Sequence, residues 1–386
     1  MKAPDSPVRA ANVASEPLVR PFMPELDSLR GIAVLGVLFL HGFAWEYGGI
    51  RFAPPALFFL HITQPGWLGV NLFFVLSGFL ITGILLASSN RPYYYRRFYA
   101  RRALRILPPY YSLLILLGLI HQASMGFLGL SFIYLSNLTD FFGVTMSYGP
   151  LWSLAVEEQY YILWPTVVRK LSRRSLALCS IAICAAVPIS RAVSFRYWHG
   201  VGIDWYTWFV ADGLATGSLL AVLLRTPIQR RQVVKLCALL LTVAPMLAVA
   251  GTPFGILTRQ RLLGAALQYT LINVFFAGFL LLFLLLGTGS RKHYVARPVL
   301  QFFGYISYGL YLFHFMIFRI YDKGTRAYWP QLQPSAGHFG LVMVRFAVAG
   351  GVAVGLAYLS RRYYEEKFLS LKDRVVPTPF ATDYSG

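Results

Sequence analysis

The sequence predicts an all-α protein, a polytopic transmembrane helix bundle of about ten spans with both termini in the cytoplasm. Two observations lead to this prediction: the composition of the chain, and the alternation of its apolar and basic segments. The chain is 57% hydrophobic, 16% aromatic and only 13% charged, whereas an average soluble domain is about 25% charged. Crossing a hydrocarbon core about 30 Å thick takes about 20 apolar residues, and uncharged runs of that length recur along the chain.

Ten apolar segments are predicted as spans. In chain order they are residues 27–46, 66–88, 107–122, 150–168, 175–192, 205–224, 236–251, 266–287, 298–318 and 341–360. A further apolar stretch, FLGLSFIYLSNL at 127–138, is an alternative eleventh span. It would reverse the sidedness of every later segment and place two basic loops outside, against the usual distribution of positive charge. We therefore predict a re-entrant or surface segment over 123–149.

The net charge of +20 is distributed between the spans and is not gathered in one patch. With the N terminus inside, the cytoplasmic segments and the start of the first span hold 26 of the 35 Lys and Arg residues, and the rest of the chain holds nine. This distribution follows the positive-inside rule. We therefore attribute the positive charge to the orientation of the protein in the membrane, and we expect no nucleic-acid partner.

One membrane domain is predicted over residues 26–365, after a cytoplasmic N-terminal segment at 1–25 and before a cytoplasmic C-terminal tail at 366–386. The N-terminal segment lacks the apolar run of a cleavable signal peptide, so the first span is expected to direct insertion. The three cysteines fall in apolar segments, where free cysteine behaves as a small hydrophobe. We expect neither a disulfide framework nor a metal site.

The first span, PELDSLRGIAVLGVLFLHGF, carries Arg30 and His41 among apolar residues. They are eleven residues apart, so at 100° per residue they share one helix face, about 16.5 Å apart along the axis. An ionisable side chain within a membrane usually faces a cavity or a partner. Arg30 alone is equally consistent with a snorkelling anchor, and His41 with a structural histidine. Imidazole is also the commonest general base, which makes His41 a candidate catalytic residue.

A second motif is SYGPLWSLAVEEQYYILWP at 147–165, in which two glutamates interrupt an aromatic, apolar helix. Adjacent residues point about 100° apart, so only one glutamate faces the bundle interior squarely. Glu157 shares a face with Ser153 and Tyr161, four residues to either side. A buried carboxylate near a histidine would hold its tautomer. The alternative is a structural ion pair with an arginine.

The basic segment RRFYARRALRILPPYY at 96–111 enters the third span. Arg102 and Arg105 are three residues apart and hence neighbours on a helix, with Arg97 and Arg101 nearby. Guanidinium groups bind phosphate bidentately, so this segment is a candidate site for a phosphate-bearing donor. Topology and anionic lipid headgroups explain the same arginines equally well.

Several other polar residues lie within apolar segments: Asn71, Ser77, Asp212, Ser307, His314 and Arg345. Hydroxyl groups are routine devices of helix packing in membranes, so Ser77 and Ser307 are interpreted as packing residues. Asp212 and His314 can ionise, and we keep them as candidate site residues.

Five motifs together resemble the membrane acyltransferase-3 family. In chain order they are LDSLRG with the R-x10-H spacing, FFVLSGFLI, RRALRILP, LWSLAVEEQYYILWP and GYISYGLYLFH. They cover residues 26 to about 365 in the family's order. The resemblance implies O-acylation: transfer of an acetyl or other short acyl group from acyl-CoA, acetyl-CoA above all, to a hydroxyl of a carbohydrate, lipid-linked glycan or macrolide.

The resemblance also implies site residues and a location. Arg30 and His41 match the family's functional arginine and histidine, Arg102 and Arg105 its RxxR pair, and Glu157 its acidic position. Residues expected to support the substrate or the structure are Asp27, Ser77, Trp152, Ser153, Asp212 and His314. We expect a multi-pass protein of the bacterial cytoplasmic (inner) membrane, with no tightly bound cofactor. The extracytoplasmic domain of some family members is missing, so a separate glycan-assembly partner is one expectation.

We predict an enzyme in which Arg102, Arg105 and nearby arginines hold the donor's phosphates. His41, supported by Glu157, removes the proton of the acceptor hydroxyl as it attacks the thioester. Direct transfer is preferred because no serine or cysteine nucleophile stands out. The alternative is a transporter or flippase, because charged groups facing a bundle interior also mark substrate paths. A structural subunit of a glycan-assembly complex is a third interpretation.

Overall fold

A computed structural model describes residues 17–44, 52–288, 291–332 and 338–371. All regular secondary structure within these ranges is helical, which confirms the predicted all-α class. The predicted N-terminal segment and C-terminal tail fall partly outside the described residues.

Fifteen α-helices lie within the described residues. They are α1 (Pro24–Phe39), α2 (Pro54–Thr63), α3 (Leu68–Ser88), α4 (Tyr94–Leu119), α5 (Met125–Phe132), α6 (Leu151–Lys170), α7 (Arg173–Trp198), α8 (Thr207–Leu223), α9 (Arg230–Ala250), α10 (Leu262–Leu286), α11 (Lys292–Val295), α12 (Pro298–Tyr328), α13 (Phe339–Arg345), α14 (Gly351–Leu359) and α15 (Glu366–Ser370). Each predicted span overlaps one of them. Among the described residues, six helical stretches are long and apolar enough to cross a membrane. These stretches indicate a multi-pass membrane protein, whereas the count of ten and the cytoplasmic termini stay predictions.

The segment at 123–149 does not form a spanning helix. It contains α5, whose eight residues rise only about 12 Å at 1.5 Å per residue, and a 3-10 turn over Ser136–Phe142. The chain reverses between them at Tyr134, whose φ of 57° is left-handed. The Ser124 side chain caps α5 by accepting from the Phe127 amide at 3.3 Å. These breaks agree with the predicted re-entrant or surface segment.

Helix α1 lies at the centre of the bundle, where glycines allow its backbone to approach α12. A Cβ atom at Gly31 would lie 2.1 Å from the Leu300 carbonyl oxygen, and one at Gly304 would lie 2.0 Å from the Asp27 carbonyl oxygen. Only glycine fits such an approach, which is the usual device of close helix packing in membranes. The contact fixes the relative positions of two helices that both carry candidate site residues.

Two buried ion pairs connect the remaining helices. Arg191 and Asp212 join α7 to α8 at 2.9 Å, with side chains 0% and 1% exposed. Arg191 also donates to the carbonyl oxygens of Phe209 and Ala266, and Thr270 donates to Asp212 at 2.7 Å. Because this carboxylate is fully enclosed and paired, Asp212 belongs to the framework of the bundle.

Arg345 forms the other pair and explains an arginine inside an apolar helix. It binds Asp322 of α12 through two contacts of 2.7 Å. It also donates to the carbonyl oxygen of Gly42 at 2.8 Å and to that of His41 at 3.3 Å. Gly42 and His41 belong to a π-helical turn, Leu40–Ala44, that continues α1. Arg345 therefore supports the turn on which His41 is mounted.

Candidate functional site

Two cavities lie one beyond the other along α1. We call the first the arginine cavity, a space of about 100 Å³. Its polar lining consists of Arg30, Ser77, Arg102, Arg105, Ser153, Glu157, Glu158, Tyr161, Ser307, Tyr308 and Tyr311. Four helices, α1, α3, α4 and α6, supply most of these groups, with α12 closing one side. Three guanidinium groups therefore converge on one space, together with two carboxylates.

The second, which we call the histidine cavity, has a volume of about 270 Å³. It is lined by His41, Asn71, Asp204, Arg259 and an aromatic set. That aromatic set is Trp67, Phe74, Trp152, Trp205, Tyr269, Tyr311 and Phe315. The cavity thus combines broad apolar walls with a few polar groups, a composition typical of small-molecule sites.

A wall of three side chains, Val70, Phe74 and Tyr311, lines both cavities and separates them. The Tyr311 hydroxyl is 2.6 Å from the Ser153 hydroxyl, so a hydrogen bond between α12 and α6 holds the ring in place.

The predicted topology puts the two cavities toward opposite faces of the membrane. Arg102 and Arg105 follow the predicted cytoplasmic loop before α4, and they line only the arginine cavity. Asp204, Trp205 and Arg259 lie at or next to loops predicted outside, and they line only the histidine cavity. If the predicted topology holds, the two cavities together form one polar route through the bundle.

In the arginine cavity the acidic position is tied to α3. The Ser77 hydroxyl donates to Glu157 Oε1 at 2.7 Å, and the Tyr161 hydroxyl donates to Glu157 Oε2 at 3.3 Å. The Arg102 guanidinium lies 4.9 Å from the centre of the Tyr161 ring, a cation–π distance. Arg30 pairs with Asp27 one turn earlier, at 2.5 Å. Ser77, predicted to be a packing residue, thus also bonds the cavity's carboxylate.

In the histidine cavity, His41 Nδ1 lies 3.0 Å from His314 Nε2. His314 Nδ1 is 2.8 Å from the Leu310 carbonyl oxygen, which only accepts, so His314 carries its proton on Nδ1 when neutral. Its Nε2 must then accept from His41 Nδ1–H. The Phe315 ring packs edge-on against His41 with centroids 5.1 Å apart. This chain of bonds places the lone pair of neutral His41 on Nε2.

The structure brings together some predicted site residues and separates others. Arg30 and His41 both line the polar route from one side of α1, as their spacing predicts. The expected support of His41 by Glu157 is not what the structure shows, because Glu157 lines the other cavity and bonds Ser77. A histidine on α12 takes the orienting position instead. Arg97 and Arg101 are not among the residues lining either cavity.

Sequence reasoning missed several residues of the histidine cavity: Trp67, Asp204, Trp205, Arg259, Tyr269 and Tyr311. Most of them lie in loops or at helix ends, where a polar residue does not stand out against a regular pattern of apolar neighbours. Tryptophans near the ends of spans are also typical of membrane interfaces, so residue type alone does not mark Trp67 or Trp205 as part of a site. An Asp and an Arg outside the spans carried no signal, because charged residues are expected there.

Three bacterial proteins illustrate what this chain is similar to. A peptidoglycan O-acetyltransferase of Listeria monocytogenes is 33% identical over 166 residues, 38% of this chain and 24% of that protein. A putative peptidoglycan O-acetyltransferase of Bacillus subtilis is 32% identical over 197 residues, 44% of this chain and 28% of that protein. A putative O-acetyltransferase of Staphylococcus aureus is 27% identical over 337 residues, 77% of this chain and 50% of that protein.

The chain thus spans half or less of the length of these three relatives. No solved structure is significantly similar to it. The model of a protein family described as an acyltransferase domain matches residues 23–362, nearly the whole chain and every residue of both cavities. With the five ordered motifs and the two-cavity site, this match establishes that the chain belongs to the acyltransferase-3 family.

Proposed function

We propose that this protein is an integral-membrane O-acyltransferase. It moves an acetyl or other short acyl group from acyl-CoA to a hydroxyl of a carbohydrate, glycan, lipid-linked sugar or macrolide. The observation that carries the proposal is the arrangement of an arginine cavity and a histidine cavity on one route, separated by three side chains. The first suits an anionic donor, and the second suits proton transfer from a hydroxyl.

The donor's phosphates bind at the cytoplasmic end of this route. Arg30, Arg102 and Arg105 come from two helices and line one space, and guanidinium groups bind phosphate through paired, charge-assisted hydrogen bonds. Glu157 and Glu158 line the same cavity. With the phosphates held by the three arginines, the uncharged pantetheine arm and its thioester extend inward.

The thioester reaches His41 by passing the wall between the cavities. Phe74 and Val70 are apolar, and Tyr311 turns when its bond to Ser153 breaks. The thin, flexible pantetheine arm needs only a narrow opening. The side chains of the wall then close around the arm and exclude water, which protects the thioester from hydrolysis.

His41 acts as the general base. Its Nε2 takes the proton of the acceptor hydroxyl while the oxygen forms a bond to the acyl carbon. The tetrahedral intermediate expels the thiolate of CoA by breaking the C–S bond, and the thiolate takes the proton back from His41. His314 holds the required tautomer by accepting from His41 Nδ1–H, so it is a positioning residue that touches neither reactant.

The names of the relatives support a glycan as the acceptor. Two of them are called peptidoglycan O-acetyltransferases, one of these putatively. A bacterial inner membrane brings cytoplasmic acyl-CoA and an outer glycan to opposite ends of such a route.

The test is release of free thiol from acetyl-CoA by detergent-purified protein supplied with a hydroxyl acceptor, with wild type and His41→Ala compared on monodisperse samples. We expect His41→Ala to lower turnover by about two to four orders of magnitude, the usual contribution of a general base. Thermal stability is measured alongside. Near-normal turnover in stable His41→Ala protein would remove His41 from the mechanism. Vectorial movement of a glycan by wild type without thiol release would favour the transporter alternative.

A further inference from the structure

The histidine cavity carries a recognition surface that the mechanism above does not use. Three tryptophans from separate parts of the chain meet there: Trp67 before α3, Trp152 in α6 and Trp205 before α8. All three are half-buried, so one part of each side chain packs against the protein and another part stays accessible. Flat aromatic surfaces on three elements form a slot around one space.

The rings are held in fixed orientations. The Trp205 indole N–H donates to Asp140 Oδ2 at 3.2 Å. Trp67 packs edge-on against Tyr269 with centroids 5.6 Å apart, and Trp152 packs edge-on against Phe74 at 5.9 Å. A rigid aromatic surface loses little conformational entropy when a ligand binds. The slot is therefore built before any acceptor arrives.

An ion pair that is open to the cavity lies beside the aromatic slot. Arg259 Nη1 is 2.5 Å from Asp204 Oδ1, and the Tyr269 hydroxyl donates to the same oxygen at 2.8 Å. The side chains of Arg259 and Asp204 are 37% and 40% exposed, unlike the buried Arg191–Asp212 pair at 0% and 1%. Because their charges cancel, the pair offers hydrogen-bond donors and acceptors to a neutral ligand.

We propose that this surface binds one sugar ring of a neutral glycan. A pyranose ring has apolar C–H faces, which suit the tryptophans, and a rim of hydroxyl groups. Arg259 donates to one hydroxyl and Asp204 accepts from its neighbour. The proposal rests on the proposed function, because a ring held in this way presents a further hydroxyl to His41 in the same cavity. A purely apolar acceptor would leave the ion pair unused.

Trp205→Ala provides the test, with Trp208→Ala as the matched control. Trp208 is three residues away and 45% exposed, and it is not among the residues lining the cavity. The acceptor probe is the surface glycan fraction isolated from cells that lack the gene. Purified variants receive acetyl-CoA and this fraction, and mass spectrometry measures the acetyl groups transferred to it. We expect Trp205→Ala to raise the apparent KM for the glycan at least tenfold and to lower kcat much less.

Trp208→Ala should keep wild-type constants, and Trp205→Phe should recover most of the affinity because it restores an aromatic face. Asp204→Asn preserves the shape of the site and should also raise the KM, which decides the matter if Trp205→Ala does not fold. Wild-type KM values in Trp205→Ala or Asp204→Asn would overturn the proposal. An acetyl group found on lipid or on an apolar small product would overturn the sugar-binding proposal and leave the proposed acyltransferase activity standing. Absence of thiol release by wild type would instead refute the proposed function.

Discussion

His314 is the residue whose role is most sharply set by its contacts. Its Nδ1 faces the Leu310 carbonyl oxygen at 2.8 Å and its Nε2 faces His41 at 3.0 Å. A side chain bonded at both nitrogens orients its partner, as the outer hydrogen-bonding groups of metal sites orient metal-bound histidines. Removing such groups typically costs about ten- to a hundredfold in activity.

We therefore expect His314→Leu to lower kcat by about ten- to a hundredfold, with little change in the KM for acyl-CoA. His314→Gln should recover part of the loss, since its amide can donate to Leu310 and accept from His41. The measurement is steady-state kinetics of thiol release on monodisperse protein. A purely structural histidine would show lower thermal stability with equal loss in both variants and normal turnover per folded molecule.

The arginines of the arginine cavity give a second prediction at this scale. Replacing Arg102 and Arg105 together with Gln should weaken coenzyme A binding, because each charge-assisted hydrogen bond to phosphate is worth about 1.5–3 kcal/mol. Calorimetry on the folded double variant measures the effect. Arg101→Gln is the control, because Arg101 is exposed and not among the lining residues. Unchanged binding in the double variant would place the donor site elsewhere.

Candidate site residues were predictable from the sequence where an ionisable side chain lies within an otherwise apolar helix. Arg30, His41 and Glu157 stand out because an ionisable group in an apolar helix needs a reason to be there. His314 stands out by the same rule, but its pairing with His41 does not, since the two residues are 273 positions apart and nothing local in the sequence indicates that they meet. The expected partner, Glu157, carried the right chemistry, but it faces the other cavity.

At the scale of the helices, α1 depends on its approach to α12 and on its terminal π-helical turn. π-Turns inside helices are frequent at functional sites, and this one carries His41. The carbonyl oxygens that the wider turn exposes are bonded by Arg345. The position of His41 thus depends on contacts with two helices far away in sequence.

Gly304→Ala tests this dependence. The new Cβ would lie 2.0 Å from the Asp27 carbonyl oxygen, so α1 and α12 must move apart, and overpacking of this kind costs about 1–3 kcal/mol. We expect a lower thermal midpoint and lower turnover, because the His41–His314 hydrogen bond bridges the same two helices. Gly355→Ala is the control, with nothing within 4 Å of its Cβ. Equal stability of the two variants would contradict the close approach.

Helix existence was predictable from apolar run length, but helix ends were not. Helix α4 begins at Tyr94, well before the predicted span at 107–122, and continues through Pro108 and Pro109. Helix α12 likewise extends to Tyr328. Hydropathy marks where the membrane ends, whereas the helical backbone continues into water as long as its hydrogen bonds are made. Basic and aromatic residues at a helix end are found both at the membrane interface and in water, so they do not mark where the helix stops.

At the scale of the whole molecule, the route through the bundle has a direction. On the predicted topology, Arg30, Arg102 and Arg105 lie toward the inner face and the histidine cavity toward the outer face. In the proposed mechanism the acyl group therefore crosses the membrane as it passes from donor to acceptor. This direction follows from the charge pattern, with 26 basic residues assigned to the inner side and nine elsewhere. Neither hydropathy nor helix packing tells which end of the bundle faces the cytoplasm, so the topology needs its own measurement.

Single-cysteine labelling settles the sidedness. In a background where the three native cysteines are serine, Arg174→Cys and Arg231→Cys should react with a membrane-impermeant maleimide only after the cells are permeabilised. Both positions are exposed and lie in the first turns of α7 and α9, in basic segments that the positive-inside rule predicts to be cytoplasmic. Thr145→Cys and Arg261→Cys, also exposed, should react in intact cells and serve as the matched outer positions. Labelling of Arg174→Cys in intact cells would reverse every segment after α5, restore the eleventh span and place the histidine cavity on the cytoplasmic side.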